Sequence, residues 1–224
     1  MNTHFAPALP ASAAAAEPLS LLNLAARQRM LSQRMILQTV LAATGDPARL
    51  QTAQQSFQLF CDSQTHLQAV TDKLDGTSAQ LLRDTYHGPR GVGPAIDQFV
   101  LLMRTALQCI ASTNGQTRPA LTALVDSRDT VLEALNTATT AFDTITKSKT
   151  DVLMKELTDI VSDIQTVARE SKVVSFNAQV IAARAGHHGR EFAVVAQVLS
   201  GIATEIDGLS RKAVDLAARN RLAA

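Results

Sequence analysis

The sequence predicts an all-α protein, and three observations predict it. Strand formers are scarce, with no Trp and one Tyr among 224 residues, while helix formers such as Ala, Leu and Gln abound. Gly and Pro fall almost entirely between periodic segments, and neither occurs from Ala120 to Ala185. From Leu153 to Ala185 apolar and small residues recur at alternating spacings of four and three, the period of a coiled-coil helix.

The punctuation places the elements. Pro47, Pro94 and Pro119 stand where helices start, giving helices at about 19–44, 47–74 and 94–113 and a fourth beginning near Pro119. The stretch 75–93, DGTSAQLLRDTYHGPRGVG, reads as a loop with one short helical turn. Without a breaker, the fourth helix extends for roughly 100 Å at 1.5 Å per residue. Its second half carries the seam Leu153, Leu157, Ile160, Ile164, Val167, Ser171, Val174, Ala178, Ile181, Ala185. After GHHG at 186–189 a matching seam returns in Phe192, Val195, Leu199, Ile202, Ile206, Leu209, Ala213 and Leu216. Two such seams about a short turn predict an antiparallel coiled-coil hairpin closed along those residues. The expected architecture is a leader over 1–18, a four-helix bundle over 19–149, and a hairpin over 150–224.

Composition narrows the function. A formal net charge of +1 with mixed signs argues against a nucleic-acid stripe or a polybasic membrane patch. Cys61 and Cys109 lie far apart with no CxxC motif, so neither a disulfide framework nor a zinc site is expected. His187 and His188 are neighbours at a turn with no third ligand in sequence, and read as exposed turn residues rather than a metal site. The longest apolar run, FVLLMRTALQCIA, is broken by Arg104, so no membrane insertion is expected. The alanine-rich leader lacks a basic n-region, which reads as a disordered segment on a cytoplasmic protein. No phosphate loop, catalytic triad pattern or cofactor motif occurs, so the expected protein is neither an enzyme nor cofactor-dependent.

The first helix raises a charge problem. NLAARQRMLSQRM, residues 23–35, holds Arg27, Arg29 and Arg34, and no carboxylate lies between Glu17 and Asp46. On a helical wheel Arg29 shares a face with Leu22, Ala25, Ala26, Ser32, Gln33, Ile36 and Val40, whereas Arg27 and Arg34 lie roughly opposite, where ordinary partners can reach them. A guanidinium on an apolar stripe needs compensation. Three readings stand open: an acid from another helix, such as Asp126, Asp129 or Glu133; a small oxyanion, with Asn23, Ser32 and Gln33 as supporting donors; or a side chain that snorkels to water. In a parallel homodimer two Arg29 side chains would face each other, and one planar anion could bridge them.

Two resemblances extend this reading. SFNAQVIAARAGHHGREFAVVA, residues 175–196, resembles the signalling tip of methyl-accepting chemotaxis receptors through Asn177, the AARAG run at 182–186, and Gly189, Arg190, Phe192 and the AVVA that follows. That resemblance implies a dimer whose tip contacts a chemotaxis coupling protein and a histidine kinase. Arg190, Glu191, Phe192 and Val194 would be the contacts, with Arg184 flanking the turn as a further donor. The receptors carry a glutamate where Ile181 stands and an aromatic where Arg169 stands. NLAARQRMLSQRM resembles the first helix of the sensor domain of type IV pilus chemotaxis transducers (PilJ type) and of nitrate-sensing histidine kinases. It implies a dimeric bundle in which Arg29 from each protomer grips a nitrate-like anion. Together they predict a non-enzymatic, chemoreceptor-like signal transducer. The alternative is a ligand-independent adaptor or decoy within receptor arrays, favoured by the short hairpin and the lack of adjacent Glu/Gln pairs within it.

Overall fold

The computed structural model describes residues 20–112 and 115–223, and the leader expected over 1–18 lies outside them. Among the described residues there are seven α-helices and no strand: α1 Leu21–Ala42, α2 Pro47–Ala69, α3 Gly76–His87, α4 Gly93–Ala111, α5 Thr117–Asp126, α6 Arg128–Arg184 and α7 Arg190–Ala223. The chain divides into two compact units, one through Thr146 and one from Lys147, and α6 contributes to both.

Side-chain caps fix several helix starts in the first unit. Ser20 Oγ accepts the Asn23 N–H to open α1, Asp46 accepts the N–H groups of Ala48 and Arg49 beside Pro47 to open α2, and Asp75 accepts that of Ser78 to open α3. The core is a single cluster in which Phe60 of α2 meets Phe99 of α4 edge-on, ring centroids 5.8 Å apart. From α6 come Val131, Leu135, Ala138, Phe142 and Ile145, one helical stripe at spacings of three and four.

Two features of the first unit depart from the sequence reading. The stretch expected as a loop contains α3, whose buried Ser78, Ala79, Leu82 and Tyr86 mark an amphipathic face. The glycines that suggested a loop serve the return of the chain over α3's end, where a Cβ on Gly91 would stand 2.5 Å from the Tyr86 carbonyl oxygen. The helix expected to run unbroken from Pro119 is interrupted at Ser127, whose hydroxyl donates to the Leu124 carbonyl at 2.7 Å and so competes with the helical ladder. With α3 and α5 included, six helices rather than four supply the core.

In the second unit, α6 from Lys147 onward and α7 run antiparallel about the Gly186–Gly189 turn, with Lys172 Nζ 3.9 Å from Asp207 Oδ2. Gly186 takes φ +58°, a left-handed conformation suited to glycine, and a Cβ on Gly189 would run into the Ala182 carbonyl. The buried positions are Val161, Ala168, Ser175 and Ala182 on α6, Gly189 at the turn, and Ala196, Ala203 and Ser210 on α7, each seven residues from the next. Their smallness lets the helices approach closely.

The seam expected to close the hairpin therefore does not close it. Its large residues, from Leu153 to Ile181 and from Phe192 to Leu216, are 37% to 65% exposed. They sit one residue before or three after the buried positions on both helices. Because the helices are antiparallel, that common offset turns both stripes to the same side, making one continuous apolar face.

A methyl group at residue 189 has no room. Gly189→Ala is expected to destabilise the second unit by about 1–3 kcal/mol, read as a lowered transition in thermal circular dichroism. An unchanged melt would contradict the close approach of Ala182 to the turn.

Candidate functional site

The three arginines of α1 occupy three environments. Arg27 is half-buried, its Nη2 donating to Ser63 Oγ of α2 at 2.9 Å while its buried Nε has no partner. Arg34 is exposed. Arg29 is half-buried, and its Nη1 donates to Asn136 Oδ1 of α6 at 3.0 Å. No acid compensates it among the described residues. Of the acids considered for that role, Asp126 and Glu133 are exposed, and Asp129 pairs with Arg128 through two hydrogen bonds of 2.9 and 3.0 Å. Those bonds, with the guanidinium charge, hold the Asp129 carboxyl below the usual carboxylate range.

The other residues expected around Arg29 are only partly gathered there. Ser32 is fully buried and its hydroxyl donates to the Arg29 carbonyl at 2.8 Å; Gln33 Nε2 reaches Ser32 Oγ at 3.4 Å. Asn23 is exposed at the first turn, six residues earlier and about 120° around the helix. Asn136, which does hold the guanidinium, is 107 residues away in sequence and carries no local signal of that role.

The buried face of α1 is also shifted from the expected stripe. It runs through Leu24, Ala25, Gln28, Leu31, Ser32, Met35, Ile36, Thr39 and Ala42, so Ala25, Ser32 and Ile36 of the expected stripe are buried while Arg29 lies at its edge and Val40 outside it. The polar residue at its centre is Gln28, which the sequence reading missed. Gln28 Nε2 donates to the Phe60 carbonyl at 3.0 Å and to Gln64 Oε1 at 3.2 Å, leaving Gln28 Oε1 without a partner. Gln64 Nε2 has no partner of good geometry, yet the Gln64 amide is near enough to the Tyr86 hydroxyl to favour its phenolate. Burial is the larger influence on Tyr86 and pushes its pKa up.

At the tip, Arg184, Arg190, Glu191, Phe192 and Val194 are all exposed. They do not form one surface. Phe192 belongs to the continuous apolar face, whereas Arg190 and Val194, four residues apart, share the opposite side of α7. The same offset on α6 puts Phe176 and Val180 on that side, a second and smaller exposed apolar patch. His187 and His188 are both exposed at the turn, their ring centroids 3.7 Å apart. Among the described residues no group of three His, Cys, Asp or Glu side chains is placed to hold a metal ion. The stretch Gly186–Arg219 is long and apolar enough, by length and composition alone, to cross a membrane.

A family model described as the methyl-accepting chemotaxis protein (MCP) signalling domain matches residues 125–217. No curated protein and no solved structure matches the chain. The matched stretch takes in α6 and most of α7, and begins within the first unit. Signalling domains of this kind transduce signals, interact with chemotaxis coupling and kinase proteins, and typically dimerise. The match supports a chemoreceptor-like signalling tip in this chain.

The Gln28–Gln64 pair makes a direct energetic test possible. Gln28→Leu alone strands buried acceptors and is expected to destabilise the protein by about 1–3 kcal/mol, and adding Gln64→Leu is expected to recover most of that loss. Denaturant unfolding of the two single variants and the double variant measures the coupling.

Proposed function

We propose that this protein is a signal transducer in which the first unit senses a small anion and the tip of the second engages a chemotaxis coupling protein and histidine kinase. The observation that carries the reading is the match over 125–217, together with exposed apolar surface on both sides of the matched tip. A row of large apolar side chains left about half in water forgoes roughly 1 kcal/mol each, and patches of this extent mark interfaces. The long face, including Phe192, is assigned to a second copy of the chain. The opposite patch, with Arg184 and Glu191 at its margin and Arg190 and Val194 within it, is assigned to the signalling partners.

Sensing is assigned to Arg29. Its charge faces a neutral amide oxygen, and a nitrate-like anion would make the stronger, charge-assisted hydrogen bond. Binding would draw the guanidinium off Asn136 and alter the contact between α1 and α6, the helix that continues into the signalling unit. A ligand can bias only an element with two available packings, and the α1–α6 contact is the candidate. In the homodimer, a partner's Arg29 would complete a bidentate clamp, with Ser32 and Gln33 ordering the adjoining turn.

Two measurements test the halves separately. Calorimetric titration with nitrate and nitrite is expected to show binding that Arg29→Ala abolishes; no heat from the native protein would remove the sensing half and leave a ligand-independent adaptor. Arg190→Ala is expected to weaken capture of the coupling protein and kinase about tenfold or more. Undiminished capture would remove the assignment of the tip.

A further inference from the structure

Beside α3 lies a cleft of about 230 Å³ that shares no residue with the Arg29 region. Its floor is apolar and buried, made by Leu82 and the Tyr86 ring, while Asp72 and Arg83 stand exposed among its lining residues with Gln68 and His87. Asp72 and Arg83 form no ion pair with each other among the described residues. The Arg83 guanidinium makes only long contacts, 3.3 and 3.4 Å, to the neighbouring Gln80 amide oxygen, so its charge is available to a ligand.

That combination selects one ligand chemistry. A simple anion would meet the Asp72 carboxylate, a simple cation would meet Arg83, and a metal ion lacks a donor set of three among the described residues. A small molecule carrying both charges satisfies both groups at once, and its apolar part would cover the Leu82 floor. The volume lies below the roughly 300–1,000 Å³ of drug-sized ligand sites, which limits the occupant to a small metabolite.

We propose that this cleft is a second ligand site for a small zwitterion of the α-amino acid class, with the ligand carboxylate on Arg83, its ammonium on Asp72 and its side chain over Leu82. The site would have a route to the interior. Tyr86 on its floor neighbours the Gln64 amide, which accepts from Gln28 on the buried face of α1. An occupant that shifts Tyr86 therefore acts on the same helix that carries Arg29. Both lining charges are on the surface, so neutralising either leaves the core intact.

The test is calorimetric titration of the full chain with L-alanine, L-leucine and L-glutamine, each to about 10 mM, a range that detects even millimolar affinity. At least one is expected to bind, and its N-acetylated and decarboxylated analogues, each lacking one charge, are expected to bind tenfold or more weakly, about 1.4 kcal/mol. Asp72→Asn and Arg83→Gln are each expected to cause a loss of the same order, whereas Arg29→Ala leaves amino-acid binding unchanged and Asp72→Asn leaves the nitrate titration unchanged. Absence of heat with all three amino acids, equal binding of the single-charge analogues, or undiminished binding in both variants would overturn the proposal. None of these results bears on the anion site, which is read by the nitrate titration alone.

Discussion

Two helices that meet through alanine, serine and glycine can lie closer than helices that meet through leucine, and this is how α6 and α7 meet between Val161 and Ser210. A helix facing one neighbour buries one stripe against it. Here that stripe is taken by residues too small to satisfy the hydrophobic content of the sequence. Every large apolar residue of the two heptad seams is consequently displaced to the flank, and the antiparallel run gathers them on one side. The pair of helices is thus half of a core. A second copy offering the same face would complete it by isologous contact, in which residue i meets j and j meets i.

The first unit solves a different problem. Its α1 is apolar around most of its circumference, with Met30 and Leu37 exposed while Leu24, Leu31 and Met35 are buried. Polar side chains decide what the buried face does. Gln28 and Gln64 tie α1 to α2 inside the core, and Arg29 ties α1 to α6 at its margin. Such a polar seam is high-stakes, because each amide leaves one polar atom short of a good partner in a low-dielectric interior. Two helices joined by partly satisfied polar contacts can exchange those contacts more readily than helices joined by interlocked leucines, and a sensor needs that property where its ligand acts.

Much of the fold was legible because helix caps, prolines and heptads are local signals. Asp46-Pro47 marked α2 and the GHHG turn marked the fold-back of α6 into α7. What misled was reading identity for environment. The glycines from Gly88 to Gly93 suggested a loop, although the Asp75 cap and the Ala79, Leu82, Tyr86 spacing of α3 stand just before them. The leucine-rich heptads suggested the internal seam, although a second heptad of alanine and serine runs beside each. The wheel on α1 was off by about one residue because large apolar side chains surround that helix, so Arg29 seemed central where Gln28 is. Asn136, like Gln64, was out of reach of sequence reasoning, since only tertiary packing brings it to α1.

The long apolar face decides whether the second unit stands as half of a shared core, and its self-association measures this most directly. Sedimentation equilibrium of the full chain across a concentration series, beside a variant carrying Ile164→Asp and Leu199→Asp, isolates that face, since both residues are exposed within it and their replacement leaves the buried alanine and serine positions untouched. A dimer for the native chain and a folded, helical monomer for the variant is the expected result. A native chain that stays monomeric throughout, or a variant that dimerises equally well, would contradict it.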